Sequence, residues 1–464
     1  MVTCIRFAAA ATALMVVAGC GSTERTEGTH PTPTPTPEQT NGSANRYPGH
    51  GFIVHEWGTD TIVVGSDGSM QRGLHHEEED LPGFVYDRMS AGTATGSTSM
   101  SVDVKMETPV TYFYSDQPRT ATVAIDFPKG VFTQWYPAVS SFYPFIMGPN
   151  AGPNQPEPAD PVLDPSFPFT SPTCAEKYGY IGNGLLDWGK IEILPRGERQ
   201  ALPEAPLEQY SWSFARAVES NDLRVQGVPG VPTSEAERFL FYRGLGNFEL
   251  PARITAQAGG KITVDNQLAD ALGGVFVLNV DDDQGSFAYV RHGDVGVPGG
   301  ASIEVEAPTL EGAASLDVYA DALATEVTAA LEATGLYHDE AVAMVSTWKR
   351  QWFRTPGVRV LYLAPQSWTD ANIPLNIEPQ PDSTLRVMVM RVEVISPELE
   401  ELDVAAASAL GGAEAAAAEA HFVSLGRFAE PRLRRALSLL GDPSYAQPFL
   451  AKIVSADTRV AAGE

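Results

Sequence analysis

Residues 51–308 are cut repeatedly by glycine, proline and aspartate into short runs of β-branched and aromatic residues, a texture that strands satisfy and long helices do not. The clearest run is 120–127, where Ala121, Val123, Ile125 and Phe127 alternate with Thr120, Thr122, Ala124 and Asp126. Successive side chains of a strand point to opposite faces, so this pattern predicts one buried and one wet face. Residues 102–114 precede it across Ser115-Asp116-Gln117-Pro118, and the two runs are expected to pair as a hairpin. Residues 52–64 form another strand, broken by Gly58 and followed by the turn signal Ser66-Asp67-Gly68. Residues 275–280 and 286–290 flank Asp281-Asp282-Asp283-Gln284-Gly285 as a second hairpin. Repeated short strands of this kind favour a β-sandwich or two small sheets. Eight prolines between Pro149 and Pro172 cannot sit in a helix interior or a central strand, so 149–172 is expected to be a surface loop.

The pattern changes after Leu310. Leu316, Tyr319, Leu323, Val327 and Leu331 recur at spacings of three and four, which predicts an amphipathic helix ending near Gly335. A second helix opens on His338-Asp339-Glu340, carries Ala341, Met344, Val345, Trp348 and Trp352 on one face, and stops before Pro356. Its two tryptophans are expected in the core. Residues 358–363 and 385–394 read as strands, and Ser396-Pro397-Glu398 combines a capping serine with a first-turn proline. The alanine-rich tail beyond is divided by Pro431 and Pro443 into short helices. The expected fold class is therefore α+β: a β-rich, sandwich-like body over 51–310, a mixed α/β segment over 311–396 and a helical C-terminal region over 397–464.

The other end carries a different message. Arg6 precedes an apolar run over 7–17, and Val17-Ala18-Gly19-Cys20 follows. The run is about eleven residues long, where a helix crossing the hydrocarbon needs roughly twenty. This reads as a lipoprotein signal peptide over 1–19, with Cys20 as the acylated residue and the lipid bilayer as its partner. Gly21 and Ser22 bring no acidic residue behind the cysteine, which favours the outer membrane over the inner one. Residues 20–50 are then a stalk, with Pro31, Pro33, Pro35 and Pro37 alternating with threonines in a polyproline pattern. Of the three cysteines, Cys4 leaves with the signal and Cys20 is acylated, so Cys174 remains as a buried thiol with no disulfide partner. The formal charge of -27, from 58 acidic and 31 basic residues, repels nucleic acid and suits a cation.

Candidate chemistry concentrates in two short segments. His55 and Glu56 in one, and His75, His76 and Glu77 in the other, are residue types that hold a divalent cation. Strand geometry divides them, since His55 and Trp57 share a face and Glu56 takes the other. The reading stays open between a metal site, serving an envelope hydrolase with a metal-bound water as nucleophile, and a solvated acidic loop beside a packed histidine. Asp281 and Asp283 could begin a calcium loop, yet His292 stands where such a loop needs a glutamate, and an acidic hairpin turn is the plainer alternative. Glu107 and Arg243 are charges inside apolar strands, where they pair with each other or contact a ligand. Trp135 and Tyr136 could stack on a sugar ring as a glycan-binding module, or fill the core. No Gly-x-Ser-x-Gly, phosphate-binding or dinucleotide-binding loop is present.

Five strings stand out together: His55-Glu56-Trp57-Gly58-Thr59, Gly73-Leu74-His75-His76-Glu77-Glu78-Glu79, Met106-Glu107-Thr108-Pro109-Val110, 239–246 (FLFYRGLG) and 348–353 (WKRQWF). Their combination resembles a family of large exported bacterial proteins with no assigned reaction. The resemblance covers residues 51–425 and implies shared export and body. It carries over no catalytic residue. The expected function is that of an anchored envelope protein whose body binds a ligand, an envelope protein or glycan partner, or a cation.

Overall fold

The computed structural model describes residues 45–74, 79–87, 103–143, 183–225, 234–290 and 296–455. Cys20, Cys174, the proline-rich 149–172 segment, and His75, His76 and Glu77 fall outside that set. The described residues belong to one compact unit. Its first strands are β1 (Phe52–Val64), β2 (Tyr86–Asp87), β3 (Val104–Ser115), β4 (Arg119–Phe127), β5 (Gly130–Tyr136), β6 (Ser141–Tyr143) and β7 (Gly184–Ile193). They are followed by β8 (Leu223–Val225), β9 (Glu235–Glu237), β10 (Leu240–Gly246), β11 (Ala252–Gln257), β12 (Lys261–Asn266), β13 (Val275–Val280) and β14 (Gln284–Val290). The last are β15 (Ser302–Glu306), β16 (Ala314–Ser315), β17 (Gly357–Ala364), β18 (Leu375–Glu378) and β19 (Ser383–Val394).

Ten of these strands form one mixed sheet in the order β16-β14-β13-β17-β19-β1-β3-β10-β5-β2, with β1 and β19 parallel from Ile53 opposite Ser383 to Val64 opposite Val394. A six-stranded sheet has the path β18-β4-β7-β8-β9 with β6 beside β7, and a three-stranded one has the order β11-β12-β15. The fold class is the α+β one expected, with stacked sheets and a helical C-terminal end. The boundary expected at residue 310 does not exist in space, because β17 and β19 lie at the centre of the largest sheet. Their sequences explain why: β19 is buried from Arg386 to Val394, and a strand covered on both faces needs a neighbour on both edges.

The expected hairpin across Ser115–Pro118 also resolves differently. β3 pairs with β1 and β10, whereas β4 pairs with β7 and β18, so the turn carries the chain from one sheet to the other. All twelve residues of β3 are buried, while β4 alternates as its sequence requires. The second expected hairpin forms as read, β13 against β14.

One apolar layer joins the sheets, with Val54, Ile62, Phe113, Val123, Trp188, Ile254 and Met390 among its members. The opposite face of the large sheet meets helices α1 (Leu316–Ala333) and α2 (His338–Lys349), whose Leu323 and Trp348 pack with Trp57, Tyr112 and Val387. α2 ends short of the residues read as helical. The buried guanidinium of Arg359 takes the carbonyls of Trp352 and Thr355, and the chain turns there. A short helix α3 (Gln366–Asn372) precedes β18.

The C-terminal helices are α4 (Pro397–Ala409), α5 (Ala415–Val423), α6 (Ala429–Leu439) and α7 (Gln447–Ser455). α4 starts as expected, with Ser396 Oγ accepting from Leu399 N at 3.3 Å and Pro397 in the first turn. Pro431 does not divide the tail. It sits in the first turn of α6, where its missing N–H has no helical acceptor to lose. These helices share a core of their own around Phe422, Leu433, Leu437 and Phe449.

Candidate functional site

The large sheet is irregular at one place, and the sequence strings converge there. Between Trp57 and Thr59 β1 advances two residues while β3 advances three, from Val110 to Glu107. Between Phe241 and Gly244 β10 advances three while β3 advances four. β3 therefore carries one extra residue relative to both neighbours, a bulge at Thr108-Pro109. Gly58 makes room for it, since a Cβ there would come within 2.9 Å of the Pro109 Cα. Thr108 is left with φ of 53°, a left-handed backbone that a β-branched residue adopts at a cost of about 1–3 kcal/mol.

Beside the bulge lies a small cavity of about 20 Å³, walled by Glu79, Glu107, Thr108 and Arg243, and by Thr347, Trp348, Gln351 and Trp352 of α2 and the turn after it. Four of the five strings supply the wall, and the fifth supplies Gly58. The two tryptophans are core residues as expected, stacked at 4.8 Å and 8°. Arg391 lies over the Trp352 ring at 4.8 Å and donates to Glu393 at 2.7 Å, which also receives Arg359.

Glu107 is buried and accepts from Arg427 Nη1 at 2.8 Å. Burial by itself raises its carboxyl, but Arg427, then Lys105, Arg391 and Arg243, outweigh it and hold the group down at about 2. Glu79 accepts from Ser211 Oγ at 2.6 Å, and the Thr347 hydroxyl donates to Ala343 O. The neutral groups of the wall differ. Among the described residues no hydrogen bond engages the Thr108 hydroxyl or the side-chain amide of Gln351, and Trp348 Nε1 is a buried donor with no acceptor.

No family model matches this chain, and no curated protein matches it.

His55 and Glu56 occupy opposite faces of β1, as strand geometry requires, and each is engaged. His55 Nδ1 lies 2.8 Å from Glu340 Oε2, and Tyr114 OH donates to Glu340 Oε1 at 2.7 Å. Glu340 also accepts from Tyr337 N, so the histidine clamps the start of α2 to the sheet. Glu56 accepts from Arg386 Nε and Nη2 at 3.0 and 2.7 Å and from Thr111 Oγ1 at 2.9 Å, within the layer between the sheets. Among the described residues no group of three or more histidine, cysteine or acidic side chains is placed to hold a metal.

The remaining candidates settle into structural roles. Asp281 accepts from Asp283 N, Gln284 N and Gln284 Nε2 in its own turn, and those bonds, the one from Asp283 first, hold its carboxyl below the usual range. The calcium-loop expectation at Asp281 and Asp283 gives way to a hairpin turn closed on itself. Trp135 is packed on Phe142 and Tyr86, and Tyr136 on Phe84, with exposures of 5% and 2%. Neither can offer a ring face to a sugar. Glu107 and Arg243 share the cavity, but the ion-pair partner of Glu107 is Arg427, a residue 320 positions away.

Sequence reasoning quoted Thr108 and Gln351 only as members of their strings, and it missed Arg391 and Arg427. Only Thr108 had a local signal: proline in a strand marks a bulge or an edge, and it restricts the residue before it. Asp60 was missed as well. It is fully buried in β1, neither carboxyl oxygen has a hydrogen-bond partner, and burial followed by the charge of Glu107 raises its pKa well above the usual range.

Proposed function

We propose that this chain is an exported protein, acylated at Cys20 and held at the cell envelope, preferentially the outer membrane, whose body binds a polar ligand without converting it. The anchor is supported by the apolar run over 7–17 followed by Ala18-Gly19-Cys20. Binding rather than turnover is supported by one observation above all. Both cavity carboxylates are already committed, Glu79 to Ser211 Oγ and Glu107 to the Arg427 guanidinium, and the cations around Glu107 hold its carboxyl below the usual range, which makes it a poor base. The ring of strings around a strained bulge is the arrangement of a recognition site set on rigid strands.

Mass spectrometry of the mature N-terminus, with fractionation of wild type and Cys20→Ala, tests the anchor. A diacylated Cys20 and release of the variant from membranes are expected, and an uncut, unmodified start overturns it. For the body, hydrolysis of any substrate panel that disappears in Glu107→Gln would replace binding by catalysis.

A further inference from the structure

The charged and the neutral groups of the cavity wall are in opposite states. Glu79, Glu107 and Arg243 are already engaged by other protein groups. A charged ligand would have to break those bonds, which is costly. The Thr108 hydroxyl, the Gln351 amide and Trp348 Nε1 have hydrogen-bonding capacity and no partner among the described residues. Trp348 Nε1 is buried, whereas the Thr108 hydroxyl and the half-buried Gln351 side-chain amide stay open to solvent, where a ligand can reach them. A buried polar group without a partner is disfavoured unless something arrives to meet it.

These groups together can donate and accept, and the space of about 20 Å³ holds a group the size of a water molecule. A hydroxyl has that size and both capacities. A carboxylate or phosphate lacks the donor, and an ammonium lacks the acceptor. Taking the binding reading above as its basis, we infer that the cavity receives a hydroxyl of a neutral, polyhydroxylated ligand, a sugar or polyol, and that Thr108 and Gln351 are the residues that meet it. The rest of such a ligand lies outside the cavity, so Trp348 and Trp352 act as its wall and not as a stacking platform.

The bulge gives the test an unusual advantage. Glycine at position 108 removes the hydroxyl and also suits φ of 53°, so Thr108→Gly is expected to fold at least as well as wild type. Calorimetric titration of the full chain in detergent would use glucose, N-acetylglucosamine and glycerol as neutral probes, and acetate, phosphate and methylammonium as charged ones. Saturable binding of a neutral probe is expected, weakened roughly tenfold in Thr108→Gly and in Gln351→Leu, as for loss of one good hydrogen bond. Neutral-probe binding unchanged in both variants would remove this cavity as the site. Binding of a charged probe alone, lost in Thr108→Gly, would overturn the hydroxyl class while leaving the binding function standing. Saturable binding of none of the six probes would overturn the hydroxyl inference, and the binding reading would then be judged by the Glu107→Gln assay.

Discussion

One face of the ten-stranded sheet is covered by two helical regions that adhere in different ways. Over Trp57 the cover is α1 and α2, joined to the strands through an apolar layer that includes Phe276, Leu323, Trp348, Leu361 and Val387. Over Val63, six residues further along β1 and so on the same face, the cover is the C-terminal set. That set keeps its own core and reaches the sheet through a small apolar cluster, Val63, Leu74 and Ile395 with Leu399 and Phe428, and otherwise through polar contacts. Arg427 meets Glu107, Arg435 meets Asp67 and Ser69, and Glu400 accepts from Ser66. Apolar contact is not screened by salt and is nearly indifferent to pH, while a junction of ions responds to both. The cavity lies on the seam, with tryptophans from one cover and a carboxylate pinned by the other.

Mutation should break the two junctions differently. Trp348→Ala removes a large, fully buried side chain and should cost about 3–5 kcal/mol in urea denaturation, equally at low and high salt. A cost that shrinks with salt would contradict an apolar junction. Arg427→Met leaves Glu107 buried beside fewer cations and should cost about 3 kcal/mol, most of it recovered in the double variant with Glu107→Gln. Without that recovery the pair is not the junction's main bond.

The same sheet carries two carboxyls with opposite pH behaviour. Glu107 has its folded pKa lowered from 4.5 to about 2, so its contribution is present above 4.5 and disappears as pH falls through that window. Hydrogen exchange should show α6 loosening there before α2 does. Asp60 has its folded pKa raised above 3.8, so folding holds a proton that the unfolded chain releases, and stability falls as pH rises from 3.8 toward the folded value. Asp60→Asn should remove that slope and raise stability at neutral pH by about 1–2 kcal/mol. An unaltered pH profile in this variant would mean that Asp60 is not the proton holder. The smallest effect belongs to Thr108→Gly, a gain of about 0.5–1 kcal/mol from relief of the left-handed backbone, read from the thermal midpoint. A loss would show that the threonine side chain contributes packing that outweighs its strain.

What was legible in the sequence was local. The alternation of 120–127, the three-and-four spacing from Leu316 and the Ser396-Pro397 start each act within a few residues, and each became the element it announced. Partnership was legible for the β13–β14 hairpin and not for the turn after β3. Nothing near Ser115-Asp116-Gln117-Pro118 says whether a turn returns within a sheet or crosses to another, because both need the same turn residues. The strings were visible as strings, but their meeting point depends on Arg427 and on pairings that span hundreds of residues. The choice between a sugar platform and the core stayed open for Trp135 and Tyr136 for a related reason. Aromatic residues suit a core and a binding face equally well until the neighbours are known.

The lateral pairing of β1 with β19 also governs when the molecule can come into being. Glu56 waits for Arg386, a residue 330 positions later, and the neighbour of β1 on that edge is β19. The native sheet is therefore complete only once β19, which ends at Val394, has been synthesised. Such long-range closure is slow, and fragments that stop short of β19 leave an apolar edge open to pairing with other chains.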